Sequence, residues 1–188
     1  MSTGAKNKSK AEIRICGFGG QGVIMSGYIL GRAAAIFDTK NAVMTQSFGP
    51  EARGGAASCD VIISEDKIFY PYLTRPEILV VMSQEAYEKF ESQLHENGIL
   101  IVEEDLVKVS RPRSGVRVFT CPNTRLAQEL GARVTLNVVM MGFFTAVTGL
   151  LSKEAMVESV KASVPSRALE VNLKAFETGY QYGMRQAT

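Results

Sequence analysis

A glycine cluster, Gly17-Phe18-Gly19-Gly20-Gln21-Gly22, separates two segments of different periodicity, and this constrains the fold more than any other feature of the sequence. Before it, Glu12–Cys16 is a short β-prone run carrying Ile13 and Cys16. After it, Val23, Ile24, Ile29, Leu30 and Ile36, spaced by small residues, predict a helix to about Phe37. Gly17, Gly19 and Gly22 thus satisfy G-x-G-x-x-G in a strand–turn–helix setting, where a tight turn lets an anion approach a helix N-terminus. Three readings fit: a site for a phosphate-bearing or other anionic group, a dinucleotide site, and a turn that serves packing alone. A dinucleotide site also needs an acid closing the second strand, about 20 residues on. Asp38 has that offset but precedes the second strand, Ala42–Gln46, and no acid ends that strand.

Further along, Ser58–Ser64 and Lys67–Phe69 are β-like, and Glu77–Met82 and Ile99–Val102 are continuous apolar runs of the kind buried on both faces of a sheet. Ser83 is placed to cap a helix running to Glu96, which Asn97-Gly98 stops. Val116–Cys121 predicts another strand, followed by a short helix ending near Gly131. The rest is helical: an uncharged stretch over 134–152, Ser152–Ser163 capped by Ser152, and Arg167 to about Tyr182. Alternating strands and helices predict a three-layer α/β fold with a mainly parallel sheet and flanking helices, Rossmann-like at its start and helical in its C-terminal third. Residues 1–10 read as a solvated, disordered tail and 11–188 as one domain, since 188 residues suit a single core.

Composition excludes several function classes. The net charge is only +2, concentrated near the N-terminus at Lys6, Lys8, Lys10 and Arg14, which argues against a nucleic-acid partner. Asn137, Gly142, Thr145, Thr148 and Gly149 dilute the uncharged stretch, so it is expected to be a buried or interface helix rather than a membrane span. As an interface it would leave a homodimer open. Cys16, Cys59 and Cys121 are odd in number and widely spaced, without a C-x-x-C. They are expected to be free buried thiols in a cytoplasmic protein with no metal site. The one histidine, His95, lies in a polar run and is expected at the surface.

The second constellation is the loop Gly49-Pro50-Glu51-Ala52-Arg53-Gly54-Gly55. Its proline and glycines shape it, and the Arg53 fork suits a carboxylate or phosphate. The plainer alternative is an internal Glu51–Arg53 pair.

GFGGQGV at 17–23 followed by SFGPEARGGAASCDVIISEDKI at 47–68, with Tyr70-Pro71 beyond, resembles the gamma subunits of 2-oxoacid:ferredoxin oxidoreductases over nearly the whole chain. The GPEARGG form is most similar to 2-oxoglutarate and ketoisovalerate types, with pyruvate and indolepyruvate enzymes as alternatives. The resemblance implies oxidative decarboxylation of a 2-oxoacid with coenzyme A to acyl-CoA, carbon dioxide and reduced ferredoxin. It implies alpha, beta and ferredoxin-like delta partner subunits that carry thiamine diphosphate, Mg2+ and iron–sulfur clusters, with no cofactor on this chain alone. The residues it marks are Gly17, Gly19, Gly20, Gln21 and Gly22 of the turn, with Gln21 as an added amide donor, and Glu51, Arg53, Gly54 and Gly55 of the loop. Outside that family, a free-standing NAD(P)-binding protein and a dimeric scaffold are the competing readings.

Overall fold

The computed structural model describes residues 10–49, 55–110 and 113–187. Met1–Ser9 of the expected tail lie outside these residues, whereas Lys10 opens the first strand. The order is β1 (Lys10–Phe18), α1 (Val23–Arg32, continued by a wider π-type turn over Ala33–Phe37), β2 (Asn41–Phe48), β3 (Ala56–Ser64), β4 (Ile78–Val81), α2 (Gln84–Phe90), β5 (Ile99–Glu103), β6 (Arg117–Cys121), α3 (Asn123–Glu129), α4 (Leu136–Thr148), α5 (Lys153–Ser163) and α6 (Leu169–Met184). The sheet runs β2-β3-β1-β4-β5-β6. β1, β4, β5 and β6 are parallel, and β3 lies antiparallel between β1 and β2. The α/β class, the mostly parallel sheet and the helical final third therefore agree with the sequence reading.

Alternation along the strands divides the core. Ile13, Ile15, Val61, Val80 and Ile101 face one side, where α1 and α3–α6 cover them. Cys16, Leu79, Val81, Leu100 and Val102 face the other, where α2 and its flanking segments form a smaller cluster around Ala86, Leu94 and Val107. Complete burial of the short β4, ILVV, explains why it reads as an unbroken apolar run.

The uncharged stretch is the centre of the larger core. In α4 every residue except Ala146 and Thr148 is buried. α6 crosses it closely enough that a Cβ at Gly142 would run into the Phe176 carbonyl, and one at Gly179 into the Val139 carbonyl. Two glycines thus set the helix–helix distance. Among the described residues no helix is long and apolar enough to cross a membrane.

Two local expectations are corrected. Lys67–Phe69 is not a strand: the Asp66 N–H turns back onto Ser64 Oγ (3.0 Å), and Phe69 is left 87% exposed with no sheet partner. The helix from Ser83 ends at Phe90 rather than Glu96. A single 3-10 turn over Glu91–Gln93 follows, and Leu94 then swings extended into the smaller core. The Arg113 guanidinium donates to the freed Glu91 and Leu94 carbonyls (2.8 and 2.9 Å), so the break leaves these acceptors satisfied. Ser83 and Ser152 cap as expected, accepting from the Ala86 and Ala155 N–H groups.

Candidate functional site

The glycine turn follows β1 at the C-terminal edge of the parallel strands, where open α/β sheets place their ligands. Gly17 and Phe18 pair with Ala57 and Ala56 of β3. Beyond the strand ends, the Gly19 N–H donates to the Gly55 carbonyl at 2.8 Å, and the Gly49 N–H to the Ala56 carbonyl at 2.7 Å. The two sequence motifs, separated by about thirty residues, therefore meet at the Gly19–Gly55 bond, while Gly49 closes the base of the loop against Ala56. Glu51, Arg53 and Gly54 lie outside the described residues.

Within the turn the residues play unequal parts. Gly19 and Gly20 are exposed, and Gly20 has φ +93°. Gly22 caps α1 at φ +72°, with no side-chain acceptor on the first turn, and Asn137 of α4 packs against its missing Cβ. No side chain caps the helix and its first turn carries no acid, a favourable setting for an anion. The Gln21 amide is engaged within the protein. Its Oε1 accepts the Phe18 N–H and its Nε2 donates to the Met82 carbonyl, both at 2.7 Å.

Beside the turn, α2 covers only part of its face of the sheet, leaving a groove of about 490 Å3 over β1, β3 and β2. Its floor carries Thr45, Ser47, Ser58, Asp60 and Arg14, and α2 adds Lys89. Arg14 and Asp60 form a two-pronged pair (Nε–Oδ1 2.7 Å, Nη2–Oδ2 2.8 Å), with the guanidinium over the Phe90 ring. Sequence reasoning missed this pair. Its signal is a lone acid inside the apolar strand SCDVIIS, at a strand position directly opposite Arg14.

Asp38, the candidate acid for a dinucleotide, is used elsewhere. Its carboxylate accepts both the Ser152 N–H (2.9 Å) and the Ser152 hydroxyl (2.7 Å), anchoring α5. Moreover, β3 rather than β2 is the neighbour of β1, so the second strand does not present an acid beside the turn.

The cysteines are free and buried. Burial pushes all three thiols up, that of Cys59 to about 12, so none is a ready nucleophile. His95 is half-buried, its Nδ1 facing the Asn97 N–H at 3.4 Å. Among the described residues no three His, Cys, Asp or Glu side chains stand together as a metal site. What the described residues bring together here is the glycine turn, Gly49 and Gly55 at the base of the loop, and a polar groove.

Residues 12–182 match the pyruvate ferredoxin/flavodoxin oxidoreductase family. The chain belongs to that family. It is 47% identical over 176 residues to the 2-oxoglutarate synthase subunit KorC of Methanocaldococcus jannaschii, covering 93% of this chain and 94% of the relative. The corresponding subunit of Archaeoglobus fulgidus is 38% identical, covering 94% and 89%. The crystal structure of the keto/oxoacid ferredoxin oxidoreductase gamma subunit from Geobacter sulfurreducens superimposes with a TM-score of 0.82 at 38% identity, covering 93% of this chain and 99% of that one. This 2-oxoacid:ferredoxin oxidoreductase gamma subunit is therefore one part of an oxidoreductase complex that carries out oxidative decarboxylation.

Proposed function

We propose that this gamma subunit serves a 2-oxoglutarate:ferredoxin oxidoreductase, and that its glycine turn and 49–55 loop together bind the CoA or 2-oxoacid side of the assembled site. Identity to 2-oxoglutarate synthase subunits reaches 47%, against 30% for a pyruvate synthase subunit and 31% for an indolepyruvate oxidoreductase subunit. The observation that carries the site reading is the 2.8 Å bond from Gly19 to Gly55, which makes one constellation of two distant motifs.

In this reading residues 11–188 act as one domain in a cytoplasmic complex with alpha, beta and delta subunits. Those partners hold the thiamine diphosphate, Mg2+ and iron–sulfur clusters, and electrons leave to ferredoxin. On this chain, exposed Gly19 and Gly20 let an anionic group approach the N-terminus of α1, which no side chain caps. Gly22 sets the helix start, and Gly54 and Gly55, lacking side chains, let the ligand come close. Arg53 pairs with a carboxylate or phosphate, and Glu51 orients Arg53. A charge-assisted contact of this kind is worth roughly 1.5–3 kcal/mol.

Arg53→Ala in the reconstituted complex is therefore expected to raise the half-saturating concentration of CoA or 2-oxoacid about tenfold or more. Steady-state kinetics with each substrate varied in turn measures this. Unchanged saturation by both substrates in a fully assembled complex would remove Arg53 from the site.

A further inference from the structure

We propose that Gln21 is a positioning residue: its side-chain amide clamps the glycine turn to the end of β4 and holds the exposed Gly19–Gly20 segment in the shape that the ligand meets. This rests on the binding role proposed above for the turn.

The Gln21 side chain folds back beneath its own loop rather than outward. Its Oε1 takes the Phe18 N–H, a donor at the last position of β1, and its Nε2 reaches the Met82 carbonyl just beyond β4. One planar group thus bridges two neighbouring parallel strands at their C-terminal ends. Met82 precedes Ser83, the cap of α2, so the clamp also fixes the turn relative to the helix bordering the groove.

The clamp explains Gly17 as well. Gly17 lies within β1, and no positive φ requires glycine there. A Cβ at that position would collide first with Gln21 Oε1; Met82 Cβ at 3.1 Å is also tight and would have to give slightly, while Val23 Cγ2 lies at 3.4 Å. Gln21 is thus the main obstacle to a side chain at Gly17, and the two positions form a coupled pair. Gly19 and Gly20 are the exposed members of the turn, and the Gly19 N–H carries the link to Gly55. Releasing the clamp would let that segment drift relative to the 49–55 loop without removing any group that touches ligand.

The test uses the reconstituted complex with Gln21→Glu, Gln21→Ala, Gly17→Ala and the Gly17→Ala/Gln21→Ala double variant. Gln21→Glu keeps the acceptor for Phe18 but sets a carboxylate oxygen against the Met82 carbonyl. For both Gln21 variants the KM for CoA should rise about fivefold or more while kcat changes less than twofold. In native-state hydrogen exchange the Phe18 amide should lose protection in Gln21→Ala, with Ile15 unchanged as an internal control. Gly17→Ala should lower the thermal midpoint, and the double variant should recover part of that loss while keeping the raised KM. That combination is the signature of a coupled pair whose polar clamp serves binding.

Unchanged KM in both Gln21 variants would overturn the positioning role, as would a double variant no more stable than Gly17→Ala, or a Phe18 amide indifferent to Gln21→Ala. A wild-type complex without CoA-dependent 2-oxoacid oxidation would count against the binding reading itself. Phe18 exchange and the double-variant stability would still report on the clamp.

Discussion

Gly179→Ala is expected to cost about 3 kcal/mol or more of folding free energy, near the upper end for overpacking a core. The added methyl would meet the Val139 carbonyl, a backbone group that cannot rotate away, and Gly142→Ala would meet the Phe176 carbonyl on the opposite side of the same crossing. Either substitution must push α6 off α4, opening the layer that buries Phe143, Phe144 and Phe176. Urea denaturation of the purified chain measures the effect as a midpoint shift with little change in slope. A loss under 1 kcal/mol in both variants would show that the helices separate easily, contrary to the tight crossing described.

Gly22→Ala carries a comparable expected loss and also reaches the site. At φ +72° a non-glycine residue costs about 1–2 kcal/mol, and the new Cβ would lie 2.6 Å from Asn137 Cγ. Asn137 sits on α4, so relief would displace either the α1 N-terminus or a core helix. We expect destabilisation of about 2–4 kcal/mol together with weaker saturation by CoA or 2-oxoacid in the assembled complex. Denaturant titration and kinetics with each substrate check the two halves separately. Normal stability would contradict the strained cap, and normal saturation by both CoA and 2-oxoacid would contradict the proposed role of the helix start.

The strands carried entirely inside the core were the most legible in the sequence, because EILVVM and ILIV have no polar face and no length for a helix. The glycine turn and Ser152 cap were legible for the same local reason: their chemistry is specified within a few residues. Relations set by tertiary packing were not. Nothing near Ala42 or Ser58 tells that β3 inserts between β1 and β2, and that insertion brings Asp60 to Arg14 and Gly55 to Gly19. The end of α2 depends on Leu94 finding the core and on Arg113, twenty residues away, satisfying the carbonyls it leaves. The motif marks Gln21, but a sequence does not state which way an amide folds. At Asp38 the spacing suggested one partner and the fold supplied another, Ser152. Glu51, Arg53 and Gly54 keep the role their residue types and motif suggest, as part of the proposal.

The central claim is that this chain completes a 2-oxoglutarate-oxidising complex and has no separate activity of its own. Its most direct test is co-expression with candidate alpha, beta and delta subunits, with and without this chain. CoA-dependent ferredoxin reduction is then assayed with 2-oxoglutarate, pyruvate, ketoisovalerate and indolepyruvate. The chain is expected to co-purify with its partners, 2-oxoglutarate to give the highest kcat/KM, and omission of the chain to abolish turnover. A complex that forms and reduces ferredoxin equally well without this chain, or that prefers another 2-oxoacid, would contradict that claim.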